Sequence, residues 1–380
     1  MSIVLLIVGI ILFVGLVVVH EFGHFIVARR NGVKVEEFGI FFPPRLYKHR
    51  TKAGWDFTIN AVPLGGFVRL KGESDSDRRK GTFGAASLWV KSKIMAAGVV
   101  MNLLTALAIF TFIALLGIPK LIDNQFSVKS DEHLMTQKVL VGYIEPGSPA
   151  SKVGLKSQDE ITGIKLPGYS PVGIVSAKEL PSITKQFAGK TVDIFYIRGG
   201  YENKVRLTLL SAKSDKGYLG IVPADFSMHR YTWSAPIVAV GFSAQVTGLT
   251  FQGLGHALGG LGSLIAGAVT GNTTARQNGQ ADASAQVAGP VGIFVILKDG
   301  TLLGYQFMLL IIGIISLTLA IMNILPIPAL DGGRLWITLA ARGLKRPLSA
   351  KHEEAINMAG FVMLIGLILL ITLVDVKRFF

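Results

Sequence analysis

The chain has 380 residues, half of them hydrophobic, with 38 Lys and Arg against 24 Asp and Glu, a formal net charge of +14 and no cysteine. A mean hydropathy of +0.52 and long uncharged runs exclude an ordinary soluble protein of this length, because lipid must replace much of the core. A disulfide framework is excluded by the missing cysteine, and nucleic-acid binding by the lack of a basic patch interleaved with exposed aromatics.

Runs free of Asp, Glu, Lys and Arg at 3–19, 94–118, 301–330 and 355–374 approach or exceed the roughly 17–25 residues that cross a bilayer. They predict four transmembrane helices. The first lacks a basic leader and a small-residue cleavage site, so it reads as a retained helix, 1–30, rather than a removable signal peptide. It ends in "VVVHEFGHFIVARRNG". Ionisable side chains within a membrane segment cost several kcal/mol unless paired or functional, so His20, Glu21 and His24 are improbable as passive lining. On a helix, positions 20 and 24 share one face a turn apart, and His-Glu-x-x-His is the pattern in which two histidines hold zinc and the glutamate is the general base. A satisfied histidine pair in a bundle is the plainer alternative.

The segment 29–93 carries fourteen Lys and Arg against six Asp and Glu, and the short loop 331–354 five more, which puts both on the cytoplasmic side with both termini outside. Within 31–93, "WDFTINA" alternates apolar and polar residues, "VPLGG" turns the chain and "FVRLK" returns it, predicting a β-hairpin in which Gly65 and Gly66 permit close backbone approach. After the second helix, 94–118, an outside region extends over 119–300. The part 231–275 is uncharged, yet nine glycines argue against one long helix. One extra crossing there would also carry Asp331 to the outer face, about 30 Å from His20. Surface amphipathic helices and a polar loop over 231–300 are therefore expected, then a third helix at 301–331, a cytoplasmic loop at 332–354 and a fourth helix at 355–380.

A catalytic zinc site usually takes three protein ligands. The other histidines, His49, His133, His229, His256 and His352, fall in loops or outside regions. Asp331 in "NILPIPALDGGR" ends the third run, where Pro326 and Pro328 interrupt helical bonding against protein or a cavity. It is the candidate third ligand, with a plain helix cap before Gly332 and Gly333 as the alternative.

Taken together, "HEFGH", "VPLGGFVRLKGE" and "NILPIPALDGG" resemble the site-2 protease family of intramembrane zinc metalloproteases, in its bacterial regulator-of-sigma-E branch. The resemblance implies one Zn2+ per chain on His20, His24 and Asp331, with Glu21 activating water. It implies that Asn323 positions substrate or stabilises the oxyanion, and that strands around Gly65 and Gly66 dip into the membrane to receive substrate. The stretch 139–164, "VLVGYIEPGSPASKVGLKSQDEITGI", resembles a PDZ domain, placing one extracytoplasmic α/β PDZ domain at 119–230. "GYLGIV", with Gly217, Tyr218, Leu219 and Gly220, resembles its carboxylate-binding loop in a circularly permuted arrangement. That domain reads equally as a peptide binder or an inert filter.

The expected architecture is an α-helical polytopic membrane protein with four transmembrane helices, a membrane-associated β-hairpin region and that domain. The expected activity is intramembrane endoproteolysis in the bacterial cytoplasmic membrane, on single-span membrane proteins such as anti-sigma-factor-like substrates or remnant signal peptides. Partners are those substrates and the lipid bilayer, with no nucleic acid. A catalytically silent PDZ membrane adaptor and a zinc transporter are the rivals. The intact motif opposes the first and the shortage of polar ligands along several spans the second.

Overall fold

The computed structural model describes residues 2–72, 77, 79–212, 217–274, 277–278, 289–344 and 350–379. Most of the polar loop expected at 271–286 lies outside the described residues. The chain forms two compact units, Met1–Thr111 with Ala239–Phe380, and Phe112–Val238.

Among the described residues five helices are long and apolar enough to cross a membrane, and the chain is a multi-pass membrane protein. They are α1 (Ser2–Arg30), α2 (Leu88–Leu116), α5 (Ala235–Thr270), α7 (Tyr305–Ile324) and α9 (Ala350–Phe379). The β-branched residues of α1 are mediocre helix formers in water. In lipid a helix satisfies every backbone group internally, and that requirement outweighs propensity. α1 stops where Arg29 and Arg30 enter its last turn and Gly32 adopts φ +77°. The Val33 N–H then donates to the Ala28 carbonyl at 3.0 Å, the reach of a glycine-terminated helix end.

The expected hairpin is corrected. The tight turn lies at 51–55, where the Thr51 N–H donates to the Trp55 carbonyl at 2.9 Å, and it joins β1 (Val35–Arg50) to β2 (Asp56–Leu70). Phe38 pairs with both Phe57 and Val68, and Gly39 with both Thr58 and Phe67. The arms read as hairpin partners therefore lie on opposite sides of 37–40 and do not pair with each other. The two-residue alternation was legible, but which strand enters the gap depends on the later return of the chain.

Three further expectations are corrected. The segment 231–275, expected as several surface helices, holds a single 36-residue helix, α5, its glycines being interspersed with enough Ala, Val, Leu, Phe and Thr to carry the helix through them. The third apolar run is divided: α6 (Pro290–Gly300) and a 3-10 turn (Thr301–Leu303) precede α7. α7 ends at Ile324, ahead of Pro326, and the segment read as a loop opens with a helix, α8 (Asp331–Gly343). Between them, 325–330 is folded back so tightly that a side chain on Gly333 would lie 2.1 Å from the Ile327 carbonyl oxygen. Ala329 there takes φ +71°. The Ile324 carbonyl, freed by the break, accepts a bond from Trp336 Nε1 at 2.9 Å.

The second unit has its own core. Strands β3 (Ile118–Pro119), β4 (His133–Ile144), β5 (Glu160–Lys165), β7 (Thr191–Arg198), β8 (Tyr201–Thr208) and β9 (Ile221–Arg230) form a sheet in the order β3-β9-β4-β5-β7-β8, with β6 (Val172–Gly173) beside β5. Val139 and Val141 on β4 and Ile161 on β5 bury one face with Ile194 on β7, as period-two alternation requires. Two short helices, α3 (Pro149–Lys152) and α4 (Leu180–Gln186), complete it, α3 capped by Ser148.

Candidate metal centre

His20 and His24 stand on the buried side of α1, one turn apart, and Asp331 is the first residue of α8, behind the proline break. The structure brings them together. Asp331 Oδ2 lies 2.9 Å from His20 Nε2 and 3.0 Å from His24 Nε2, and the two Nε2 atoms are 3.3 Å apart. Among the described residues this is the group of three that could hold a metal ion. A tetrahedral zinc with bonds of about 2.0–2.1 Å separates its ligands by roughly 3.3 Å, close to these edges. As for the alternative role of Asp331 as a cap, the cap position of α8 is Leu330 and no side chain bonds there.

The outer ring atoms fix the tautomers. The Ile94 carbonyl lies 2.7 Å from His24 Nδ1, so that nitrogen carries the proton and Nε2 presents a lone pair. His20 Nδ1 lies 3.2 Å from the amide of Asn102, whose Oδ1 is buried without a partner. Turning the amide, whose ends are assigned from the network, lets Oδ1 accept the proton of His20 Nδ1. Three lone-pair atoms then face one another at about 3 Å, an arrangement that a cation stabilises. The residues fit a zinc ion.

Sequence reasoning missed Asn102 and Gly98, both on α2. A side chain on Gly98 would lie 2.5 Å from His20 Nε2 and 2.6 Å from His24 Nε2, so glycine lets α2 lie against the histidines. Asn102, one turn on, is almost wholly buried, and its backbone carbonyl accepts from Ser316 Oγ of α7 at 2.8 Å. In the sequence they are a glycine and an amide four apart within the uncharged run 94–118, too ordinary a pair to single them out.

Glu21 turns from the histidine face toward β2. A side chain on Gly66 would sit 3.4 Å from Glu21 Cγ and 3.2 Å from the Gly39 carbonyl oxygen. Gly65, at φ +81°, lies under the ring of Phe42. Asn323 is half-buried in the last turn of α7 and forms no side-chain hydrogen bond among the described residues. Gly217, Tyr218, Leu219 and Gly220 belong to the second unit. There the Leu219 and Gly220 carbonyls accept from Ala150 and Glu145 at 3.2 and 2.9 Å, packing the loop onto the Pro-Gly-Ser-Pro turn.

The family model of peptidase family M50 matches residues 8–367. The chain belongs to peptidase family M50. Its relatives include "Putative zinc metalloprotease CPE1693" of Clostridium perfringens, 29% identical over 96% of each chain. Another is "Probable protease eep" of Enterococcus faecalis, 24% identical over 98% of each. A solved PDZ domain of an SdrC-like protein from Listeria monocytogenes is 26% identical, covering 24% of this chain and 93% of that one with a TM-score of 0.20. This M50 chain is a zinc metalloprotease of the intramembrane type.

Proposed function

We propose that this peptidase cleaves the transmembrane segments of single-span membrane proteins, anti-sigma-factor-like regulators or remnant signal peptides, at a single zinc held by His20, His24 and Asp331. The observation that carries the assignment is the convergence of the three ligand atoms within about 3 Å. Bound there, zinc supplies Lewis acidity for the scissile carbonyl and makes water acidic enough to ionise near neutral pH. Glu21 takes the proton from water and returns it to the leaving amine. Ile94 and Asn102 hold the imidazoles in the tautomer that leaves both Nε2 atoms free, a positioning role.

A helical substrate hides its peptide bonds in its own hydrogen bonds, so it must be drawn out before attack. The stretch 66–70 lies beside Glu21, and with Gly65 and Gly66 it provides a backbone against which an unwound substrate pairs. Asn323 fits the same task from the end of α7. The second unit, with its Pro-Gly-Ser-Pro turn and the Gly217 to Gly220 loop, fits a PDZ domain outside the bacterial cytoplasmic membrane, both chain termini lying on that side.

The metal geometry also supports four crossings rather than five. Asp331 follows α7 and meets residues near the end of α1, so both helices must finish on the same face and an even number of crossings must separate α2 from α7. If α5 crosses, a second span is required. α6, at 11 residues and about 1.5 Å per residue, reaches only about half of a roughly 30 Å core.

The test compares Glu21→Gln, Asp331→Ala and the unaltered protein for zinc content and for cleavage of a single-span substrate. Glu21→Gln is expected to keep about one zinc per chain and lose cleavage, while Asp331→Ala loses zinc. Full zinc occupancy in Asp331→Ala would overturn the ligand set.

A further inference from the structure

At the end of α1, facing the β1–β2 turn, lies a pocket of about 390 Å³ lined by Arg29, Lys34 and Trp55 together with Gly32 and Gly54. Among the described residues no acidic one lines it. Nearby cations are engaged: Lys48 and Arg50 with Asp56, Arg45 and Arg69 with Glu37. Arg29 and Lys34 form no ion pair among the described residues. The carbonyls at the end of α1 do not occupy them either, because Val27 O accepts from Asn31, Ala28 O from Val33 and Arg29 O from Gly32.

Trp55 lines the pocket beside these cations, its ring packed edge-on against Phe25. Gly32 and Gly54 adopt φ of +77° and +84° with open space where a side chain would begin, leaving a backbone floor that a bulky group can approach. Two cations without an ion pair among the described residues, one of them a guanidinium with several fixed donors, suit a tetrahedral oxyanion.

We infer that this pocket binds a phosphoryl group, and its place favours the headgroup of an anionic phospholipid. Arg29 stands in the last turn of α1, where the apolar helix gives way to polar chain, the level of headgroups. On the orientation proposed above this is the cytoplasmic leaflet, whose anionic lipids attract basic residues. The pocket also touches the metal centre's support. The Arg29 guanidinium stacks 5.4 Å above Phe25, the Trp55 ring meets Phe25 edge-on at 4.8 Å, and Phe25 follows His24. A bound headgroup would hold the end of the helix that carries both histidines.

The test uses the full chain with Trp89, Trp233 and Trp336 changed to Phe, so that Trp55 is the remaining one of four tryptophans. Its emission is followed in phosphatidylcholine nanodiscs with increasing phosphatidylglycerol, which carries the same composition in both leaflets, and in detergent with inorganic phosphate. A saturable change with phosphatidylglycerol is expected, weakened at least tenfold by Arg29→Gln with Lys34→Gln and unaltered by Arg30→Gln with Lys52→Gln, while zinc content stays constant. A saturable change with phosphate alone, lost in the same double variant, would support the site and assign it to a free phosphate. No response to either probe, or equal weakening by both double variants, overturns the inference. Since the readout is binding rather than cleavage, its failure leaves the proteolytic assignment standing.

Discussion

His20 is held at both ends, by Asp331 at Nε2 and by Asn102 at Nδ1, so losing the outer contact should loosen the inner one. Asn102→Ala is predicted to weaken zinc retention about 10–100-fold, read by competition with a chelator. Gly98→Ala should do as much by a different route, since its methyl group would lie 2.5 Å from His20 Nε2 and the ring would have to move off the metal. Normal retention in Gly98→Ala would mean that α2 yields instead of the histidine. The histidines, Glu21 and Asp331 were legible because charge inside an apolar run is costly and therefore conspicuous. Gly98 and Asn102 were not, because glycine and a neutral amide are ordinary within membrane helices, and their importance arises only from what packs against them.

Among the elements, α6 and α9 are joined by one carboxylate. Asp375, near the end of α9 and nearly inaccessible, accepts from the Gly289 and Gly292 backbone N–H groups at 2.9 and 2.8 Å, capping α6 from a distant part of the chain. A side chain on Gly289 would collide with that carboxylate at 2.8 Å, so glycine is required there. Asp375→Ala strands these donors at a cost of about 1–3 kcal/mol. It should lower the thermal midpoint in detergent, and Asp375→Asn, which keeps an acceptor, should recover part of the loss. The apolar helices were readable from composition. The order of the strands around 37–40 was not, since β2 supplies both neighbours and alternation names a face without naming a partner. The continuity of α5 was not legible, because a glycine costs a helix only about 1 kcal/mol and the residues between the glycines offset it.

For the molecule as a whole, the two units should respond differently to acid. In the second unit burial alone would raise the pKa of Asp131, but bonds from Ser234 and Thr232 outweigh it and hold the carboxyl well below its usual range. A bond from Arg206 likewise lowers Asp193. Carboxyl groups depressed in the folded state contribute stability that is complete above their unfolded pKa of about 4 and fades as pH falls below it. Unfolding of the second unit within the full chain should therefore shift to lower temperature between pH 5 and about 2, and Asp131→Asn should flatten that dependence while lowering the midpoint at pH 7. A second prediction concerns selection of substrates. Replacing 123–225 with a flexible bridge should leave hydrolysis of a short membrane peptide largely intact and permit cutting of a substrate with an untrimmed outside domain. Loss of cleavage of the short peptide, with zinc retained, would make the unit a recognition module instead of a filter.

The two parts of the candidate metal group are written far apart, His24 and Asp331 standing 307 positions from each other. At about 5–20 residues per second, a ribosome that has inserted α1 works for roughly 15–60 s more before the aspartate appears, and longer before it clears the exit tunnel. Throughout that interval the chain holds the histidine pair and its glutamate without the aspartate proposed to join them at the metal. The peptidase is thus born incomplete, and the three side chains can meet only after nearly the whole chain has been made.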